Sequence, residues 1–158
     1  MRARFGKLLA DQMLRDEKLI LLAGDVGFGV LDAAASAYPD RFFNMGAAEQ
    51  AMIGAAVGLT YEGHRVICYT ITPFMLYRPF EWLRNYLHIE KANVKLVGVG
   101  RGSDYGKLGY THWCHEQKAV LASLPNIRTF FPQDTGEMET MWPTFLQDGP
   151  AYLNLVRG

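Results

Sequence analysis

Net charge is the first thing the sequence lacks. Sixteen basic residues cancel sixteen acidic ones over 158 positions, so there is no electrostatic case for binding nucleic acid or an anionic membrane surface. Cysteine is scarce. Cys68 and Cys114 are the only two, which gives no disulfide framework, and Cys68 lies in an apolar strand-like run as a core residue. No apolar stretch reaches the ~18 residues of a membrane-crossing helix. The N-terminal Met1-Arg2-Ala3-Arg4-Phe5 runs into Lys7, Asp11, Arg15, Asp16 and Glu17, not into the apolar centre of a signal peptide. The expected location is therefore cytoplasmic. Repeats, linkers and low-complexity segments are missing as well.

What is present is a globular composition, 49% apolar and 20% charged, on a length that suits one domain over residues 1–158 with one real core. Aromatic residues reach 13%, including eight tyrosines and three tryptophans; much of that is core, and the excess also fits interface area.

Short apolar runs alternate with segments of helical period. Strands are predicted at 19–23, 41–45, 65–69, 94–99, 127–131 and 151–156. Helices are predicted at about 5–15, 31–38, 49–61, 79–88, 114–124 and 135–146, Pro79 being suitably placed in a first turn. This alternation implies an α/β domain with a mostly parallel sheet covered by helices on both faces. In such sheets ligands meet the loops at the carboxyl ends of the strands, here 24–29, 70–78, 100–112 and 132–134.

Glu49 stands out. It enters Asn44-Met45-Gly46-Ala47-Ala48-Glu49-Gln50-Ala51-Met52-Ile53-Gly54-Ala55-Ala56-Val57-Gly58-Leu59 as the one charge before Glu62. A carboxylate on a helix this apolar is expected to be part-buried, and a buried carboxylate needs a partner or a task. The plainer alternative is a capping box, with Gly46 at the cap and Glu49 three residues on, compensating the helix dipole.

Six segments in order decide between these. They are Gly24-Asp25-Val26-Gly27; Tyr38-Pro39-Asp40-Arg41-Phe42-Phe43-Asn44-Met45-Gly46; Tyr69 through Arg84; Asn93-Val94-Lys95-Leu96-Val97-Gly98; Gly109-Tyr110-Thr111-His112; and Leu124-Pro125-Asn126 through Phe131-Pro132-Gln133-Asp134, with the Glu49 stretch in its place among them. Together they resemble the pyrimidine-binding domain of the transketolase-like thiamine diphosphate enzymes over nearly the whole chain. The resemblance implies that Glu49 hydrogen-bonds the cofactor's aminopyrimidine and drives its proton shuttle. It implies that Phe74 stacks on that ring and that His112 faces substrate. Arg78 would brace the site or a subunit contact, as would Arg84, for which an exposed helix charge is the simpler reading. Asp25 is equally suited to an Asx turn and to a hydrogen bond into the cofactor pocket.

Departures from the family pattern shape the rest. Gly100 or Arg101, and Leu108, stand where pentose-phosphate transketolases carry a further histidine and an acidic residue, and Trp113 follows His112. No Gly-Asp-Gly followed by a distant asparagine supplies the diphosphate and Mg2+ signature; Gln147-Asp148-Gly149 is a turn. His112 and His115 lack the companions a metal site needs. The expectation is thus a stand-alone pyrimidine-binding subunit of a split transketolase, a homodimer of this domain within a heterotetramer. A separate diphosphate-binding subunit would hold Mg2+, and a two-carbon ketol or acyl unit would pass between small-molecule substrates. A split 2-oxo-acid decarboxylase or dehydrogenase component, and a non-catalytic assembly module, are the alternatives.

Overall fold

The computed structural model describes residues 1–157. Within them six strands, β1 (Leu19–Ala23), β2 (Phe42–Asn44), β3 (Arg65–Ile71), β4 (Val94–Val99), β5 (Arg128–Phe130) and β6 (Ala151–Leu155), form one sheet in the order β2-β1-β3-β4-β6-β5. Every pairing is parallel. The apolar runs of the central strands behave as strands buried on both faces should, since their alternate residues enter two separate cores. Ile20, Leu22, Val66, Cys68, Val94 and Leu96 pack beneath α3 (Glu49–Tyr61), α4 (Thr72–Leu76) and α6 (Gln117–Ala122). Leu19, Leu21, Ile67, Tyr69, Val97 and Val99 pack beneath α1 (Arg2–Arg15), α2 (Asp32–Ala37) and α7 (Thr135–Phe145).

Helix α1 buries Phe5, Leu9 and Met13, one face at a spacing of four. At the start of α7 the Asp134 side chain accepts from the Glu137 amide at 2.9 Å, and Glu137 accepts from the Gln133 amide at 2.8 Å, two orphan donors met reciprocally.

Three predicted elements differ. Residues 70–78 are not a loop: β3 continues to Ile71 and α4 follows at once, with Pro73 in its first turn and Met75 and Leu76 buried. A helix of five residues is too short to show a period, and burial sets its conformation. The 79–88 helix splits into α5 (Phe80–Trp82) and a π-helix, Leu83–Ile89, and Trp82 of the first stacks on Tyr86 of the second at 4.7 Å. The 114–124 helix shrinks to α6, because Cys114 is drawn into a bridge with Gly102, its amide donating to the Gly102 carbonyl at 3.0 Å.

The chain leaves β1 towards one edge of the sheet, to β2, and leaves β3 towards the other, to β4. The crevice outside the carboxyl ends of β1 and β3 is therefore the switch point, where doubly wound sheets bind ligands.

Candidate active site

Glu49 is the first residue of α3. Ala48 precedes it as the cap with no side-chain cap bond, so the carboxylate does not close a capping box. It turns inward and is 1% exposed. The Thr70 hydroxyl, near the end of β3, donates to Oε1 at 3.2 Å, and Arg78 Nη1 donates to Oε2 at 2.6 Å. Gly24 follows β1 on the other side. A Cβ there would lie 2.8 Å from Thr70 Oγ1 and 3.3 Å from Glu49 Oε1, so only glycine lets the two strand ends and the carboxylate come this close.

From Glu49 the contacts run outward. The Arg78 guanidinium lies over the Phe74 ring, Cζ 3.8 Å from the centroid. Phe74 meets the His112 ring edge-on at 5.0 Å, and Tyr105 is 5.6 Å from the same imidazole. His112 Nδ1 is 2.9 Å from the Thr111 hydroxyl, and its backbone amide donates to Gly109. Phe74 and His112 are both half-buried. Glu49, Arg78, Phe74 and His112 thus form one connected cluster contributed by α3, the α4 segment and the glycine-rich loop after β4.

Asp25 lies at the same end of the sheet but is tied elsewhere. Its backbone sits at φ +54, a left-handed conformation that an aspartate tolerates. The Asn44 side chain holds it, accepting from the Asp25 amide at 3.1 Å and donating to Asp25 Oδ1 at 3.0 Å. Asn44 Oδ1 also accepts from the Gly46 amide at 3.0 Å, so this exposed pair fastens the β1 turn to the lead-in of α3. Arg84 is exposed and donates to Asn85.

An open concavity of about 860 Å3 flanks the carboxylate, lined by Glu49, Arg78, Trp82, Gln50 and the small residues of the lead-in and first turns of α3 from Ala47 to Ala55. Behind the cluster lies a buried polar network that sequence reasoning missed. The Asn154 side-chain amide lies within hydrogen-bond distance of the Thr72 hydroxyl and the Gly98 and Gly100 carbonyls, and the Tyr152 hydroxyl within that distance of Thr72 Oγ1 and Gln117 Oε1. Arg101 donates to the Asn154 side chain and to the Pro132 carbonyl, fixing the start of the glycine-rich loop. Thr70 and Thr72 were also missed as site-builders; a threonine in an otherwise apolar run was the available signal. Burial pushes the Cys114 thiol up to about 11 and the Cys68 thiol higher still, so neither behaves as a nucleophile. Among the described residues, no group of three or more His, Cys, Asp or Glu is placed to hold a metal ion, and no helix is long and apolar enough to cross a membrane.

A doubly wound parallel sheet with a buried carboxylate at its switch point defines a class: an α/β domain of the kind whose ligands meet the crevice beside β1 and β3. The particular family follows from comparison. Residues 1–158 match the family described as transketolase, pyrimidine binding domain, and the chain belongs to it. It is 33% identical to a putative transketolase C-terminal section from Methanocaldococcus jannaschii, over 99% of this chain and 50% of that protein. It is 32% identical to one subunit of an apulose-4-phosphate transketolase from Actinobacillus succinogenes, over 75% of this chain and 38% of that one. Among solved structures, a split-gene transketolase described as an inactive beta4 tetramer superposes with a TM-score of 0.85 at 31% identity, over 99% of this chain and 51% of that one. The chain thus spans about half the length, or less, of these relatives.

Proposed function

We propose that this chain is the pyrimidine-binding subunit of a split, thiamine diphosphate-dependent transketolase-like enzyme. One observation carries the reading: a carboxylate 1% exposed stands at the sheet's switch point, beside an open concavity. Burial of a carboxylate is costly unless it does something that solvent cannot.

The residues present fit one half of the cofactor. An aminopyrimidine needs a carboxyl group for a ring nitrogen and a flat apolar face, and Glu49 and Phe74 supply them. Thiamine diphosphate, when bound, supplies a stabilised carbon nucleophile for cleaving the bond next to a carbonyl. Glu49 holds and moves the proton at its carboxyl group, with the Thr70 hydroxyl fixing Oε1. Phe74 excludes water from one side. His112, held against Phe74 and Tyr105, is the group assigned to substrate, and Asp25, through Asn44, keeps the β1 turn and the lead-in of α3 in register around the pocket.

The other half of the cofactor falls to a second protein. We assign Mg2+ and the diphosphate to a separate diphosphate-binding subunit, a heterotetramer being the expected assembly and the cytoplasm its expected location. The exposed small residues Ala51, Ala55 and Gly58 of α3 give that subunit a close-approach surface. The relatives described as a transketolase subunit and as a split-gene transketolase support such a division. Transfer of a two-carbon ketol unit is the favoured reaction, and product analysis in the assembled enzyme separates it from 2-oxo-acid chemistry.

The test is thiamine diphosphate binding with Mg2+, measured on the purified chain alone and with the protein that copurifies with it. Tight binding only with the second protein is expected. Turnover by this chain alone would overturn the division of labour.

A further inference from the structure

Arg78 makes, with one planar cation, the two contacts that an aminopyrimidine would need here. Its Nη1 donates to Glu49 Oε2 at 2.6 Å, and its Cζ lies 3.8 Å over the Phe74 ring. A protonated aminopyrimidine is likewise flat, π-delocalised and able to present an N–H to a carboxylate. Two such groups cannot occupy the one ring face beside the carboxylate at the same time. We propose that Arg78 is a placeholder: its guanidinium fills the aminopyrimidine position in the cofactor-free chain and must swing out before the cofactor enters. Arg78 then sets cofactor affinity as a competitor and not as a ligand. The inference rests on the thiamine diphosphate reading of Glu49.

The burial of the pair is lopsided in the way such an exchange requires. The Glu49 side chain is 1% exposed and that of Arg78 is 44% exposed. A carboxylate so buried cannot be left without a donor, since stripping one partner from a buried ion strands the other. A half-exposed guanidinium returns to water at little cost. The arginine is therefore the member that leaves, and the incoming ring's N–H replaces the donor it removes. The geometry of the trough agrees. Glu49, Arg78 and Trp82 line it, while Phe74, its ring lying under the Arg78 guanidinium, does not. The trough of about 860 Å3 leaves space for the side chain to move aside.

The placeholder also answers a problem peculiar to a shared active site. A buried carboxylate and a bare phenylalanine face would be exposed to solvent-driven rearrangement whenever the cofactor is absent. Arg78 keeps both in the positions that the ring will need, so the site is pre-organised before binding.

The probe is thiamine, which carries the aminopyrimidine without the phosphates. It is titrated into the full chain, and the Phe74 ring and Arg78 guanidinium signals are followed by NMR. In the unmodified chain the guanidinium signal, slowed by pairing with Glu49, is released with the same midpoint at which the Phe74 signal shifts. Arg78→Ala binds thiamine roughly three- to tenfold more tightly, because one half-exposed ion pair and one cation–π contact no longer have to be broken. Methylguanidinium competes with thiamine in that variant. Should Arg78→Ala fail to fold, the two signals of the unmodified chain decide alone. Equal or weaker binding by Arg78→Ala, or a Phe74 shift with the guanidinium still paired, overturns the placeholder. If thiamine binding is lost in Glu49→Gln while Arg78→Ala only weakens it, the cofactor reading stands and the placeholder falls. If millimolar thiamine binds neither the unmodified chain nor Arg78→Ala, the placeholder falls, while the cofactor reading is decided separately by thiamine diphosphate titration of the chain with its second protein.

Discussion

Among the described residues two charged side chains are buried, at opposite ends of the sheet, and they are treated very differently. Lys95, 3% exposed at the amino end of β4, donates to Asn93 Oδ1 at 2.7 Å, to the Gln147 carbonyl at 2.6 Å and to the Gly149 carbonyl. All three protons of its ammonium are used, and all by groups within a few residues of β4 or β6. Glu49, 1% exposed at the carboxyl end, has a weak hydroxyl donor and one strong donor that is itself half in water. A saturated buried charge staples strands together. A buried charge whose main partner is half in water is available for exchange, and the proposed role of the carboxyl end rests on that difference.

The sharpest way to break this contrast is to delete each charge and compare two readouts. Glu49→Ala is expected to lower turnover of the assembled enzyme by at least ~100-fold, the scale of a lost proton-transferring group. The melting temperature should change little, because Arg78 simply returns to solvent. Circular dichroism melts and single-turnover rates check both halves. Retained turnover would return Glu49 to a structural part.

Lys95→Met should do the reverse. Three buried acceptors lose their donor at once, at roughly 3 kcal/mol in total, a fall in melting temperature on the order of 10 °C for a domain of this size. Turnover per folded molecule should be unchanged. A variant that melts as before would mean that water enters and replaces the ammonium, and that the staple is not one.

Gly24→Ala probes the seam between the β1 and β3 ends. The new methyl would sit 2.8 Å from the Thr70 hydroxyl oxygen and 3.3 Å from Glu49 Oε1. The hydroxyl must rotate or shift, loosening its bond to Glu49, and we expect thiamine diphosphate affinity in the assembled enzyme to fall about tenfold, close to ~1.4 kcal/mol. Unchanged affinity in a calorimetric titration would show that Thr70 does not position the carboxylate.

Much of this was legible without coordinates, and the exceptions have physical causes. All six strands are where the sequence places them; β1, β3, β4 and β6, buried along nearly their whole length, leave an unbroken apolar signature, while the edge strands β2 and β5 are part-exposed. Glu49 was visible as a lone charge in an apolar helix. Phe74 and His112 are assigned by family resemblance, and the structure brings both into the Glu49 cluster while leaving Asp25 on Asn44. What could not be read was pairing across distance. Nothing local in Thr70 or Arg78 says that both reach Glu49, 21 and 29 positions away. Nothing in Arg101 says that it is spent on Asn154, 53 positions on. Helix α4 reads as loop in the sequence because five residues cannot display a period, and the saturation of Lys95 depends on β4 lying beside β6.

The last prediction uses pH to weigh the two ends of the Lys95 staple against each other. Burial, reinforced by Arg128 nearby, pushes the Lys95 ammonium down to about 7, while its three acceptors favour keeping the proton. If burial dominates, the native chain has released that proton between pH ~7 and the ordinary lysine value, whereas the unfolded chain still holds it. The unfolded state then binds more protons, and stability rises with pH across that window. Below about pH 7 both states are protonated and the dependence vanishes. Between pH ~7 and ~9 the unfolding free energy should climb by on the order of 2 kcal/mol more than in Lys95→Met, measured by urea titration of each. A flat difference would show that the Asn93, Gln147 and Gly149 oxygens hold the ammonium against desolvation, and that the staple stays charged throughout.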